Sequence, residues 1–115
     1  MANEFTNAIA QNVNAVAGTG TLLYTAPAGK TCIMLELDIA NTSSAVIEAS
    51  VEILDKSVST SAWRYLVKNA PVPAGGSLMV IAGQKIVLKP LDSVRVTSSA
   101  ASTMDVVAAV LEDVN

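Results

Sequence analysis

The acidic residues between positions 30 and 55 are the side chains whose spacing suggests chemistry. They lie at polar positions of two alternating segments: Glu36, Asp38, Glu48 and Glu52. If the two segments form a hairpin, Asp38 lies across from Glu48, with the other two carboxylates nearby. Carboxylate oxygens in such a group are ligands for a hard cation such as Ca²⁺. The first candidate site is therefore a cluster of carboxylates on one sheet face.

Facing carboxylates destabilise a sheet unless their charge is compensated. Arg64 and Lys68, which we expect to point outward from the next strand, supply that compensation. A subunit contact and a bound cation are the alternatives. We favour a compensated or solvated face, and we therefore predict no metal site.

Few residues of the chain could support other catalytic chemistry. The chain contains no histidine, which excludes a Ser-His-Asp triad, a Cys-His pair and a His-ligated metal. The single cysteine, Cys32, cannot form an internal disulfide, and beside Met34 it is expected to pack as a small apolar residue. We predict no catalytic residue and no cofactor, so the chain is not expected to be an enzyme.

The composition points to a protein partner. Hydrophobic residues make up 51% of the chain, but only 3% are aromatic and 15% are charged, with a net charge of -3. The core must then consist of aliphatic side chains, and much of the surface must be apolar, as at a contact between proteins or between copies. The acidic balance argues against nucleic acid. We expect no membrane span and no signal peptide, and hence synthesis in a cytoplasm.

The segment from Lys30 to Asp55 is expected to form the centre of the fold. Apolar residues occupy alternate positions, as in a strand with one buried face: Ile33, Leu35, Leu37 and Ile39, then Ile47, Ala49, Val51 and Ile53. Turn-forming residues at 41–44 predict a hairpin that brings Ile39 near Ile47. A Greek-key arrangement, with the two strands in different sheets, is the alternative.

Further strands are predicted on both sides of this centre. Residues 21–26 form a short strand before a turn at Pro27, and 104–112 form the last strand. The alternation after Trp63 predicts another strand with its tryptophan inward, because the ring contributes much buried area. The prolines in 71–76 predict a loop, since proline cannot donate to a strand ladder.

Two tight turns are predicted in the second half of the chain. Residues 77–82 and 85–88 are interpreted as two strands joined by a hairpin at Gly83-Gln84. A turn at Pro90 then leads into a strand over 93–98.

Residues 1–20 are expected to form an extended arm or an edge strand. Phe5, Ile9, Val13 and Val16 lie at helical spacing, but the asparagines between them disfavour a helix. A segment of this kind orders when a partner supplies the missing surface. We therefore predict that these four residues bind a partner. The alternative is that the segment forms the first strand of the sandwich.

Together these elements predict an all-β fold. About eight or nine short strands with no convincing helix are typical of an antiparallel β-sandwich or jelly roll. A chain of 115 residues makes one domain. Residues 1–20 are assigned to the N-terminal arm or edge strand, and residues 21–115 to the sandwich.

The order of residues resembles small accessory virion proteins of tailed bacteriophages, almost from end to end. The stretches that carry the resemblance are FTNAIAQNV (5–13), LYTAPAGKT (23–31), IANT (39–42), LVKNAPVPAGGSL (66–78), QKIVL (84–88) and DSVRVTSSAAS (92–102), with the later Asp105–Val107 and Leu111-Glu112. That family tends to carry Gly-Asp before its penultimate strand, where this chain has Leu91-Asp92.

The resemblance implies a structural virion protein without catalytic residues. Its expected location is the outside of a phage particle, after synthesis in the host cytoplasm. Capsid decoration is the leading position, with major capsid protein as the partner. Binding would use apolar strand surfaces and the N-terminal arm, and a homo-oligomer is expected. The alternative is a neck, tail or fibre-base protein that acts as a receptor- or glycan-binding module.

Overall fold

Eight antiparallel strands make up the described part of the chain. The computed structural model describes residues 4–11, 13, 20–56 and 63–112. The strands are β1 (Glu4–Ala10), β2 (Thr21–Thr25), β3 (Cys32–Asn41), β4 (Ile47–Leu54), β5 (Trp63–Val72), β6 (Ser77–Leu88), β7 (Ser93–Ser98) and β8 (Met104–Glu112). Within these ranges no helix is long and apolar enough to cross a membrane. The predicted all-β sandwich is confirmed, while most of the predicted loop at 56–62 lies outside the described residues.

The strands form two four-stranded sheets. We call β1-β8-β3-β6 the front sheet and β2-β7-β4-β5 the back sheet. Successive strands change sheet at every connection except the one between β4 and β5. Eight strands in this order form two interlocked Greek keys, which is the topology of a jelly roll.

The core lies between the two sheets and is aliphatic. In each strand the inward positions alternate with outward ones, since neighbouring side chains point to opposite faces. The large side chains that are fully buried there are Met34, Leu37, Ile39, Ile81, Leu88, Met104, Val13, Val51, Val72, Val94, Val96 and Val106. None of these side chains is aromatic, as the composition predicted, although Tyr24 packs against the core while partly buried.

The inward face of β3 changes halfway along the strand. Leu37 and Ile39 are buried as predicted, but in the first half Cys32 and Met34 point into the core and Ile33 is only half-buried. The pairing of β3 with both neighbours shifts register after Met34. A bulge inserts an extra residue and so reverses the alternation. The prediction for Ile33 and Leu35 was therefore wrong, whereas the burial of Cys32 is confirmed.

The predicted hairpin between β3 and β4 is wrong. The two strands lie in different sheets, so Asp38 does not face Glu48. In the front sheet Asp38 pairs with Met79 and Val107. A turn sequence at 41–44 suits a link between sheets as well as a hairpin, because it reverses the chain in both cases.

The predicted hairpin at Gly83-Gln84 is also wrong, because β6 is one continuous strand of 12 residues. Its pairing with β3 jumps from Ile86 opposite Met34 to Ala82 opposite Glu36. The extra residues of β6 are accommodated in an irregularity of the ladder. The glycine thus marks a bulge, which is the other common role of glycine in a strand.

Residues 71–76 were predicted to be a loop, but β5 extends to Val72 and so includes Pro71. Proline is tolerated in a strand at a sheet edge, where no neighbour needs its missing N–H. β5 is such an edge strand in the back sheet.

Residues 4–10 form one of the two edge strands of the front sheet. β1 pairs with β8 along its whole length, from Glu4 opposite Glu112 to Ala10 opposite Val106. Ala8 and Ala10 are buried. This part of the N-terminal segment is therefore tied into the sandwich by backbone hydrogen bonds.

The turn before β7 holds a leucine at a positive backbone angle. The Asp92 N–H donates to the Lys89 carbonyl at 3.0 Å, so Pro90 and Leu91 are the central turn residues. Leu91 has a φ of 71°. The third position of a type II turn requires a positive φ, which glycine adopts without steric cost. Glycine is also the residue that the phage resemblance led us to expect here.

Hydrogen bonds from neighbouring segments hold this turn in place. The buried carboxylate of Asp92 accepts backbone N–H groups from Lys56 at 2.8 Å and Lys89 at 3.0 Å. The Leu91 N–H donates to the Ala26 carbonyl at 2.9 Å. The turn type is therefore kept although its third residue is not glycine.

Leu91→Gly is expected to stabilise the domain by about 0.5–1 kcal/mol. The left-handed conformation costs a non-glycine residue about 1–2 kcal/mol, which exceeds the backbone-entropy cost of glycine, about 0.5–1 kcal/mol. Urea unfolding measures the difference. Leu91→Ala is the matched control, because it removes the side chain but keeps the strained Cβ. Equal stability of the two variants would contradict the explanation.

Candidate interaction surface

The outward side of the front sheet, which we call the front face, consists of three rows of paired residues that cross all four strands. In strand order β1, β8, β3, β6 the rows are Phe5-Leu111-Ile33-Val87, Asn7-Ala109-Glu36-Ala82 and Ile9-Val107-Asp38-Met79. Strands lie about 4.8 Å apart, so each row extends over about 14 Å. Nine of these twelve positions are apolar, which is unusual for a sheet face turned away from the core.

Most of the exposed large apolar side chains lie on this one face. Nine such side chains are found in the described residues, and five belong to the front face: Phe5 at 76% exposure, Ile9 and Met79 at 68%, Val87 at 56% and Val107 at 47%. Scattered apolar residues are normal on a protein surface, but a contiguous patch marks an interaction site. The front face is therefore the strongest candidate for a binding surface.

Two carboxylates occupy the middle of the front face. Glu36 and Asp38 share the exposed side of β3, and the Asp38 side chain raises the pKa of Glu36 through a hydrogen bond and through its charge. Asp38 Oδ1 is buried and has no hydrogen-bond partner within the described structure. The apolar rows thus surround a pair of acidic groups whose hydrogen-bonding capacity is incompletely used.

The outer side of the back sheet carries a different arrangement. Arg95 Nε and Nη2 donate to the two carboxylate oxygens of Glu52 at 3.0 and 3.1 Å, and the two side chains are only 12% and 9% exposed. The Arg95 guanidinium carbon lies 4.1 Å from the centre of the Trp63 ring. Because Val94 and Val96 point into the core, Arg95 and the residues stacked with it lie on the outer side.

Two predictions about this region are corrected by these contacts. Trp63 was predicted to point inward, but it covers the guanidinium on the outer side and so shields the ion pair from water. Glu52 was predicted to be compensated by Arg64 or Lys68, and Arg95 has that role instead. Lys68 lies over the ring of Tyr65, with its Nζ 5.2 Å from the ring centre.

The four residues predicted to bind a partner do not form one surface. Phe5 and Ile9 lie on the front face and are exposed, whereas Val13 is fully buried in the core. Val16 lies outside the described residues. A binding role for Phe5 and Ile9 stays a prediction, and the burial of Val13 indicates a packing role for that residue.

Several residues of the front face were missed in the sequence. Ile33 was assigned to the core because the bulge in β3 is not visible as a pattern. Val107 and Leu111 belong to a nearly continuous apolar run in β8 (VVAAVL), which indicates a strand that is covered on both faces. That run was the available signal for an outer apolar surface.

Metal chemistry receives no support from the geometry. Across residues 4–11, 13, 20–56 and 63–112, no group of three or more Asp, Glu, Cys or His side chains is placed to hold an ion. The four carboxylates considered in the sequence are divided between the two sheets. They therefore do not form the cluster that the hairpin register would have produced.

Comparisons with known proteins give a structural likeness but no match in sequence. No family profile matches the chain, and no curated protein matches it. Among solved structures, a chain in the structure of infectious bursal disease virus, Gt strain, is similar with a TM-score of 0.47 and 11% sequence identity. The aligned part covers 96% of this chain and 32% of the viral chain. A likeness at this level carries no argument about function.

Proposed function

We propose that this chain is a structural component of a bacteriophage virion that binds the assembled particle through its front face. The observation that carries the proposal is the concentration of exposed apolar side chains on that face. The sequence resemblance to accessory phage virion proteins supplies the biological setting. The jelly-roll fold by itself does not distinguish a capsid role from a glycan-binding role, since viral capsid domains and lectin domains both have it.

The mechanism is the burial of the front face against virion proteins at many equivalent positions. A single contact of this size is weak or moderate in affinity, because association must offset the lost freedom of both partners. Many symmetric copies nevertheless give dense coverage of a particle. Capsid decoration is the leading position, with the major capsid protein as partner. We also propose a homo-oligomer, formed by contacts between copies that lie side by side on the particle.

A receptor- or glycan-binding role at the neck, tail or fibre base is the second candidate. It would use the outer side of the back sheet, where Tyr65 is 51% exposed beside Trp63. Sugars stack on open aromatic faces, but Arg95 occupies one face of the Trp63 ring. That contact makes the back sheet the weaker binding surface. The proposal gives the chain no catalytic role.

Cosedimentation with phage particles that lack this protein tests the proposal. Phe5→Ser, Ile9→Thr and Met79→Thr, combined in one variant, are expected to reduce binding at least about tenfold, because they remove buried apolar area worth several times the 1.4 kcal/mol of a tenfold change. The matched control, Leu22→Thr with Tyr65→Ser, changes exposed apolar residues of the back sheet. Loss of binding in the control, with the front-face variant unaffected, would contradict the proposal and favour the second candidate.

A further inference from the structure

We infer that the front face binds a protein surface other than a second copy of this chain, and that this partner places a lysine or arginine against Glu36 and Asp38. The inference rests on the proposed function and specifies the chemistry of the partner. It follows from the charge of the face, the position of the acidic pair and the polarity of the opposite sheet.

The strands of the front sheet are strongly acidic. They contain five carboxylate residues and one basic residue: Glu4, Glu36, Asp38, Asp105, Glu112 and Lys85. Three of the carboxylates, Glu36, Asp38 and Asp105, occupy outward positions, whereas Glu112, which accepts a hydrogen bond from Tyr24 of the back sheet, and its partner Glu4 lie at the alternate positions. The strands of the back sheet have the opposite balance: Glu48, Glu52, Arg64, Lys68 and Arg95. Lys85 lies in the part of β6 that leaves the ladder with β3. A surface that covers the front face therefore meets a net negative charge.

The acidic pair lies where a bound partner would exclude water. Glu36 and Asp38 are central in their rows, with apolar neighbours on β8 and β6. A charge that is desolvated without a partner is costly, whereas a charge-assisted hydrogen bond to a cationic side chain offsets that cost. The Glu36 carboxylate is exposed, so it is the acceptor of the pair that such a donor can reach. Charge complementarity thus calls for a cation at this point of the partner.

A second copy of the chain does not meet this requirement. Front-to-front pairing about a two-fold axis would bring two acidic pairs together. Like charges that are brought together in a poorly hydrated interface repel each other strongly. Front-to-back pairing would offer cations, but the described strands of the back sheet expose two large apolar side chains, Leu22 and Tyr65, against five on the front face. Neither arrangement matches apolar surface and charge together.

Binding of variants to phage particles that lack this protein tests the inference. Glu36→Gln combined with Asp38→Asn is expected to weaken cosedimentation at least about tenfold at low salt, in keeping with the coupling energies of close interfacial charge pairs. Binding of the wild type should fall as salt rises, because salt screens the attraction between the acidic pair and the partner's cation. The variant lacks this attraction, so its binding should depend less on salt. The matched control is Glu48→Gln, an exposed carboxylate of the back sheet.

The outcomes separate this inference from the proposed function. If the apolar front-face variant loses binding while the neutralised variant binds as well as the wild type or better, the cationic partner is refuted and the proposed function stands. If neither variant loses binding, both ideas fail. Sedimentation velocity of the isolated wild type is the second measurement. A dimer that the Phe5, Ile9 and Met79 changes dissociate would show that a second copy covers the face, and would overturn the inference.

Discussion

Val51→Asp is expected to leave the domain unfolded at room temperature. Val51 is fully buried and lies in β4 between Val67 of β5 and Val96 of β7. The substitution places an unpaired carboxylate in an aliphatic layer, at a cost of several kcal/mol. It also removes apolar contacts. Against a total stability of about 5–15 kcal/mol, this loss is large enough to abolish folding.

Circular dichroism and thermal melting measure the result, and Glu36→Gln is the control. Glu36 is exposed on the front face and repelled by Asp38, so its neutralisation should leave the fold intact. A cooperative melt of Val51→Asp near the wild-type temperature would show that the inward face of β4 is wrongly assigned. Glu52→Gln, which looks equivalent in the sequence, is not a suitable control because Glu52 is paired with Arg95.

Arg95→Ala has the second largest expected effect, a destabilisation of about 3–5 kcal/mol. The substitution leaves the Glu52 carboxylate, which is 9% exposed, without its two hydrogen bonds. Breaking a buried ion pair on one side is costly because the remaining charge stays desolvated. It also removes the cation that stacks on Trp63. Urea unfolding at neutral pH measures the loss.

The double variant Arg95→Leu with Glu52→Leu isolates the cause. Replacing both members of a buried pair by apolar residues is often neutral, so this variant should recover most of the stability. Arg64→Ala is the matched control, because Arg64 is exposed and makes one long contact to the Trp63 carbonyl at 3.4 Å. A double variant as unstable as Arg95→Ala would show that packing, and not the unpaired charge, causes the loss.

The fold class and most strand positions were predictable because they depend on local alternation. β8 was predicted over its full extent, 104–112, since its apolar residues and flanking turns are local features. The pairing of strands was not predictable in the same way. The residues at 41–44 reverse the chain equally well within one sheet or between two, and the choice depends on long-range packing.

The candidate site was only partly predictable because two bulges alter the register. The irregularity after Met34 turns Ile33 outward, and the one in β6 replaces an expected hairpin. A one-residue shift moves every later side chain to the other face. Phe5 and Ile9 were identified as binding residues from their apolar character alone. The position of Met79, Val87 and Val107 beside them on the front face follows only from the cross-strand pairing.

An electron-microscopy map of the intact phage particle, with this chain placed in it, tests the central claim most directly. The account predicts that the front face lies against other virion proteins, with Phe5, Ile9 and Met79 buried there and a lysine or arginine of the partner within hydrogen-bonding distance of the Glu36–Asp38 pair. A map in which the front face is open to solvent, while the outer side of the back sheet contacts the particle, would contradict it.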